Sequence, residues 1–455
     1  MSNPPRPETE GYVNPATCRF IVGDALTALR TLETGSVDLV LTSPPFLALR
    51  SYLPAGHPDK AAELGSEPTP GAYLDALLDV VEECGRVLGP HGSLCLELGD
   101  TYAGSGGAGG DYNPDGLRAG QERFNGSAST ERMIGRVGYG STSGEGVGRG
   151  NRGAAAHVDG DTAKRGDGWP LDKSLTLIPE TLRWALTYGT NPHTGRQTPP
   201  WRVRNVIRWV RPNPPVGALG DKFRPATTDL VVACKSRSRY FDLDAVRTPH
   251  LATSVERSDS TAPRRMTSRA TACPDNGENP NGAPLTLNPA GAPPLDWWQI
   301  PTAPYPGAHY ATFPEQLCVK PIQAMSPQRV CKVCGKPSER IVNVSYSEVP
   351  DRPLRDDDAR RYGSIDGKRH NDHRATEHET VGWSDCGHNN WRPGCVLDPF
   401  AGTGTVLAVA IGHGRSSIGV DLDQRNAWLA RERVGLWLEI EDSRQIIDVP
   451  TGAVL

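Results

Sequence analysis

The order of apolar and polar positions along the chain predicts alternating strands and helices. Cys18–Gly23 is a short β-like run, and Asp24 is placed to cap a helix carrying Leu26, Leu29 and Leu32. Val37–Leu41 reads as a buried strand that ends in Thr42-Ser43-Pro44-Pro45-Phe46. Tyr73, Leu74, Leu77, Leu78 and Val81 follow helical spacing up to Gly89-Pro90, and Ser93–Leu98 is the next strand. A helix near Pro179–Tyr188 and strands near Val206–Val210 and Leu230–Ala233 come next, and Pro314–Met325 resumes helical spacing. The last part reads as strand Val396–Leu397, a Gly-rich turn, helix Thr405–Ile411, strand Ser417–Val420 and an amphipathic helix to about Ile440. Short links between such elements predict an α/β fold, a doubly wound and mostly parallel sheet covered on both faces.

Three stretches interrupt this pattern. Residues 104–168 hold 19 glycines in 65 positions and almost no periodic apolar residues, which predicts a mobile insert. Residues 245–300 are rich in Pro, Asn and Thr with scattered arginines, and Pro350–Thr380 is charged and loop-like. The chain therefore divides into core residues 1–103, the Gly-rich insert 104–168, core again at 169–244 and a second insert at 245–307. A pocket-lining helix at 308–330, a metal-binding insert at 331–395 and a ligand-binding half of the core at 396–455 complete it. There is no internal repeat.

Composition narrows the class. Of 455 residues, 37% are apolar and 22% charged, enough for a sizeable core, while Gly and Pro together make 91, consistent with the long inserts. No apolar run reaches the 18 residues of a membrane span, and the polar, Pro-rich N-terminus lacks a signal peptide's apolar segment, so a cytoplasmic, intracellular protein with no membrane partner is expected. Ten cysteines are too sparse for a disulfide scaffold. The net charge of −4 gives no global sign of nucleic acid, but Trp201–Arg269 carries 14 Lys and Arg against 6 Asp and Glu. In it Arg202, Arg204, Arg208 and Arg211 alternate with Trp201 and Trp209, and Arg264 and Arg265 follow in the insert. Some of these arginines are candidates for phosphate contacts, whereas the tryptophans also suit a core.

Three motifs carry chemistry. In Val396-Leu397-Asp398-Pro399-Phe400-Ala401-Gly402-Thr403-Gly404-Thr405 a strand enters a glycine turn and a helix opens, so backbone can approach a ligand closely at a helix N-terminus. The next strand ends in Asp421, placed to accept from ribose hydroxyls. A nicotinamide dinucleotide site would want a small residue where Leu407 stands, so another adenosine-containing ligand is the better reading. The second motif, Ser43-Pro44-Pro45-Phe46, ends a hydrophobic strand where open α/β sheets bind ligands. Its hydroxyl and a proline carbonyl can both accept from one –NH2 group beside an aromatic ring. The third is Cys331-Lys332-Val333-Cys334 with Cys386-Gly387-His388 beginning 52 positions after Cys334. These suit a tetrahedral structural zinc, with Cys395 as a rival fourth ligand to His388; thiolate and imidazole also bind other divalent ions.

The order of the first two motifs resembles the DNA amino-methyltransferases that use S-adenosylmethionine, in the circularly permuted arrangement with the catalytic tetrapeptide ahead of the cofactor loop. Weaker supporting pieces are Gly23-Asp24-Ala25-Leu26, Trp209–Pro215, Asp229–Lys235 with Tyr240-Phe241, and His309–Pro314. The similarity spans roughly 18–100, 175–245 and 308–440, and it implies that the insert 245–307 carries target recognition. The resemblance implies that Asp398, Pro399, Phe400, Gly402, Gly404 and Thr405 surround the methionine part of the cofactor, next to Thr42. It implies Asp421 at the ribose, Asp24 near the adenine, and Phe313-Pro314 lining the pocket. Ser43, Pro44, Pro45 and Phe46 are implied to grip a base flipped from double-stranded DNA. Methylation at cytosine C5 is excluded for want of a Pro-Cys pair. Family members with Ser-Pro-Pro tend to methylate cytosine N4 and those with Asp- or Asn-Pro-Pro adenine N6, so cytosine N4 is favoured and adenine N6 is the alternative. An RNA methyltransferase or a non-catalytic DNA-binding relative are the other readings. A separately encoded restriction endonuclease is a candidate partner, and phage self-protection is another setting for the same chemistry.

Overall fold

The computed structural model describes residues 15–48, 52–53, 57–103, 168–171, 173–214, 222–259, 287–302, 314–348, 373–435 and 438–443. The insert at 104–167, Phe313, Arg264 and Arg265 lie outside them. In chain order the elements are β1 (Cys18–Val22), α1 (Ala25–Thr31), β2 (Val37–Thr42), α2 (Pro70–Val87), β3 (Leu88–Leu98), α3 (Ile178–Tyr188), β4 (Arg202–Val210) and β5 (Thr227–Cys234). Then follow α4 (Ala252–Asp259), β6 (Trp297–Gln299), α5 (Glu315–Met325), β7 (Arg329–Cys331), β8 (Arg340–Glu348) and β9 (His373–Trp383). The last are β10 (Trp391–Pro393), β11 (Cys395–Asp398), α6 (Thr405–Gly412), β12 (Ser416–Asp421), α7 (Gln424–Val434) and β13 (Leu438–Asp442). Two units are distinguished.

The larger unit, from 11–241, 295–337 and 388–455, contains a nine-stranded sheet in the order β13-β1-β12-β11-β2-β3-β5-β4-β6. The strands from β13 to β3 are parallel, and β5 is antiparallel to both β3 and β4. This is the expected mostly parallel α/β sheet, with the C-terminal strands β11 and β12 inserted between β1 and β2. Every residue of β2, Val-Asp-Leu-Val-Leu-Thr, is buried, as a central parallel strand requires. Tyr73, Leu74, Leu77 and Leu78 of α2 are fully buried in the same core as Leu29, Val40 and Leu397, each leucine contributing about 2 kcal/mol by burial. Asp24 caps α1 as expected, accepting from Thr27 N at 2.8 Å.

The buried charge of Asp38 holds the start of β2 in place. Its carboxylate accepts from His91 Nε2 at 2.8 Å, from Arg392 Nη1 at 2.6 Å and from the Cys395 amide at 2.7 Å. Burial alone would push this acid up; the His91 bond and the Arg392 charge outweigh it and hold the carboxyl below its ordinary value.

Several boundaries differ from the sequence reading. The last helix stops at Val434 rather than near Ile440, because Gly435 turns the chain at φ +95°, and Leu438–Asp442 becomes a strand beside β1. Residues from His373 to Thr380, expected as loop, belong to β9, whose pairing with β8 is not visible in the charged local sequence. β3 begins at Leu88 and runs through Gly89-Pro90, where its register with β2 is irregular. Trp297–Gln299, inside the stretch expected to be insert, adds an edge strand to β4.

The smaller unit comes from 242–294 and 338–387 and includes α4 and the antiparallel pair β8–β9. Within it, the Arg340 guanidinium holds buried Asp242 at 2.8 Å. No described helix is long and apolar enough to cross a membrane.

Asp38→Asn should lower stability by about 3 kcal/mol at pH 7, because it strips the partner from a part-buried arginine. Since the native carboxyl is held below its ordinary value, the contribution is present at neutral pH and disappears as pH falls below about 4. Urea unfolding of both proteins at pH 7 and pH 3 checks this; an unchanged gap between them would refute it.

Candidate active site

The parallel strands of the larger unit bring five residues of the sequence motifs to one edge. Gly23 and Asp24 follow β1, Asp421 ends β12, Asp398 ends β11, and Thr42 ends β2. Thr42 Oγ1 donates to Asp398 Oδ1 at 2.6 Å, which ties the strand end just before Ser43-Pro44-Pro45-Phe46 to the glycine loop across 356 positions. The Gly23 amide donates to the Asp421 carbonyl at 2.9 Å.

Asp398 is buried, and Asp421 is partly exposed at the end of β12. The Asp398 carboxylate accepts from the Phe400 amide at 3.1 Å, and burial pushes it up to about 7 despite that bond and the one from Thr42. Asp421 accepts from the Gly402 amide at 2.9 Å, the Asp423 amide at 2.8 Å and Asn426 Nδ2 at 2.8 Å. Burial raises it to about 6. Asp421 thus shapes the glycine loop directly, an observation beyond its expected contact with ribose.

The loop delivers α6, whose first turn is buried and has no side-chain cap. Gly404 occupies the helix N-cap at φ +73° and provides no side-chain cap. A Cβ there would stand 2.9 Å from Ala430 Cβ, so both the angle and the space require glycine. Thr403 and Thr405 are buried, and their hydroxyls accept from Arg433 at 3.0 and 2.6 Å. Pro314 is buried at the N-cap of α5.

A cavity of about 370 Å³ opens beside the ends of β1 and β12, lined by Asp24, Thr27, Leu53, His57, Leu422 and Asp423 among others. Asp24 is therefore at a pocket wall. Leu53, His57 and Asp423 were not anticipated; the repeat of acids in Asp421-Leu422-Asp423 is the signal that could have pointed to the last.

At the tetrapeptide, Ser43 Oγ donates to Glu97 Oε2 at 2.6 Å. Glu97 lies near the end of β3, fully enclosed, and burial raises it above the ordinary carboxylate value against the bond from Ser43 and the nearby Arg211 charge. The sequence reading missed it because Ser93–Leu98 registers as an apolar strand; an acid in the middle of such a run was the available sign. Tyr73 Oη donates to the Pro45 carbonyl at 2.8 Å, and among the described residues no donor reaches the Pro44 carbonyl. The Phe46 ring lies over Gly99, where a Cβ would meet it at 2.7 Å.

Of the arginines proposed to meet DNA, Arg202, Arg204 and Arg208 are exposed on β4 while Trp201 and Trp209 are buried. Arg208 pairs with Asp229 at 3.0 Å, Arg202 donates to the Lys235 carbonyl, and Arg211 stacks 5.3 Å from the Trp209 ring centre. The metal candidates also come together: the ligand atoms of Cys331, Cys334, Cys386 and His388 lie within 4.8 Å of one another. Cys395 is outside that group, buried at the start of β11.

The chain is 22% identical over 422 residues to the Type II methyltransferase M.SmaI of Serratia marcescens, covering 92% of each. It is 28% identical over 295 residues to the Type II methyltransferase M.Cfr9I of Citrobacter freundii, covering 65% of this chain and 68% of that one. Among solved structures, PvuII DNA methyltransferase (cytosine-N4-specific) matches with a TM-score of 0.39 at 13% identity, covering 96% of this chain and 94% of that chain. The DNA methylase family model matches residues 37–329, a span that holds Ser43-Pro44-Pro45-Phe46, Glu97 and β3 through α5. With that span exceeding half of the chain, the protein belongs to the N6/N4 DNA methylase family.

Proposed function

We propose that the chain transfers a methyl group from S-adenosylmethionine to the exocyclic N4 of cytosine in double-stranded DNA. The observation that carries this reading is Ser43, its hydroxyl proton committed to Glu97 at 2.6 Å, directly after the threonine bonded to Asp398. The cofactor fits the residues present. The cavity between Asp24 and Asp423 has room for a nucleoside, the uncapped α6 N-terminus suits a carboxylate, and the acids Asp398 and Asp421 suit a cation. When bound, S-adenosylmethionine supplies an electrophilic methyl carried on a sulfonium.

The chain's own task is to make a poor nucleophile competent. An exocyclic amine on cytosine conjugates its lone pair with the ring. Because the Ser43 proton points at Glu97, the lone pairs of Oγ are left to accept one amine N–H, and the Pro44 carbonyl accepts the other. Two such bonds favour a pyramidal nitrogen whose lone pair points away from the ring, so positioning and electrostatics provide most of the catalysis. Phe46 flanks the base, which must leave the duplex to reach this edge. The nitrogen gains a carbon and must lose one proton; Ser43 Oγ takes it as its own proton passes to Glu97 Oε2, an acid already raised by burial. The choice of cytosine N4 follows the family tendency of Ser-Pro-Pro. The arginines Arg202 and Arg204 are assigned to phosphates, and a separately encoded restriction endonuclease is the partner this reading implies.

Nucleosides from unmethylated DNA incubated with the protein and methyl-labelled cofactor should contain labelled N4-methylcytosine by mass spectrometry. Labelled N6-methyladenine would overturn the base, and no labelled nucleoside from DNAs of broad sequence coverage would overturn the reaction.

Glu97→Gln should lower kcat on the order of a hundredfold while leaving cofactor affinity unchanged. It should also remove the acid limb of the kcat profile, which in the wild type lies above the ordinary carboxylate range because burial raises Glu97. Retention of that limb would assign it elsewhere.

Asp421 and Asp398 ionise near about 6 and about 7, so the pocket gains negative charge as pH rises through that interval. Calorimetry should show S-adenosylmethionine binding tightening over this range. S-adenosylhomocysteine, which lacks the sulfonium charge, should change far less; equal responses would refute the electrostatic account.

A further inference from the structure

We propose that Cys331, Cys334, Cys386 and His388 hold a structural Zn²⁺ that the methyl-transfer reaction does not use. Their ligand atoms lie within 4.8 Å of one another, with Cys331 Sγ 3.5 Å from His388 Nδ1. A tetrahedral zinc with bonds of about 2.0 to 2.3 Å sets neighbouring ligand atoms roughly 3.3 to 3.8 Å apart, so a contraction of about one ångström closes the shell.

The backbone around the first pair is already arranged for a thiolate. The Val333 amide donates to Cys331 Sγ at 3.4 Å, a bond that favours the ionised sulfur. The Gly335 amide returns to the Cys331 carbonyl at 2.9 Å, and Gly335 itself sits at φ +69°, closing a tight turn over the pair. Cys331 ends β7, whose pairing with β10 sets it opposite the fully buried Trp391. The Lys332 amide donates to the Asn390 carbonyl at 2.9 Å, which fixes the turn beside the segment that follows His388.

The donor set selects the ion and its role. Three sulfurs and one imidazole, with no carboxylate in the group, are unsuited to calcium or magnesium and suited to zinc. Four protein ligands fill a tetrahedral shell and leave no position for a substrate, which is the pattern of a structural site. Cys395 takes no part. Its amide is bonded to Asp38 at 2.7 Å and burial pushes its thiol up to about 12, so it is an inert core thiol. In sequence the ligand pairs flank residues 335–385, and the metal would close that long loop.

The test uses the full chain purified without a histidine tag and without added metal. Elemental mass spectrometry should find about one zinc per chain, retained in Cys395→Ala and lost in Cys334→Ser and Cys386→Ser. Because a variant that fails to fold would lose metal for a trivial reason, the wild-type chain is also stripped of metal and loaded with Co²⁺. Tetrahedral cobalt with thiolate ligands then gives intense visible bands and a sulfur charge-transfer band, which zinc displaces. A folded wild-type chain that carries no zinc and gives no such bands would overturn the proposal. So would a Cys331–Cys334 disulfide found by peptide mapping after anaerobic purification. Zinc retained by His388→Ala but lost by Cys395→Ala would overturn the ligand assignment.

Discussion

Everything at the site depends on how β2 lies beside β11. Only two residue pairs, Val396 with Leu39 and Leu397 with Val40, define their register, yet the strands are more than 350 positions apart in the chain. Side chains anchor both ends of this short pairing. Asp38 receives the amide of Cys395 where the strands begin, and Thr42 bonds to Asp398 where they finish. A slip of one residue would carry Ser43 about 3.3 Å along the strand and turn its side chain to the other face of the sheet. The clamps therefore convert a weakly paired contact into a fixed spacing between the serine and the glycine loop.

The acids at the two ends of that pairing behave in opposite ways. Asp38 meets an arginine and a histidine and stays below the ordinary carboxylate value. Asp398 and Glu97 are almost as enclosed and Asp421 is partly so, but their partners are amides, an amide side chain and hydroxyls, and burial raises all three. At the closed end of the strands the carboxylate is matched within the protein. At the open end the acids are bonded but not neutralised, the usual mark of a site built to receive something positive.

Much of this was legible in the residues. The Asp24 cap, the buried run of β2 and the strand, turn and helix around Asp398 each follow from local chemistry, and the chain brings their ends together as the motif order implied. What stayed hidden depended on partners far away in sequence. Glu97 is an acid within an apolar strand, and its meaning appears only when Ser43 stands 2.6 Å away. β13 was read as the end of the preceding helix, although Leu438 and Ile440 alternate with the period of a strand, and pairing with β1 settles it. The charged approach to Trp383 looked like loop because the partner that makes it a strand begins at Arg340.

The interleaved strand order also governs how the sheet can be completed. β1 has β12 on one side and β13 on the other, and both lie beyond residue 415. On a ribosome adding roughly 5 to 20 residues per second, β1 emerges about 20 to 80 seconds before either neighbour exists. Through that interval both of its edges, and the β2 edge that later receives β11, present open backbone hydrogen-bonding groups. The nascent N-terminal segment must therefore be kept from pairing with other chains, a burden that the unpermuted order of the same strands would lighten.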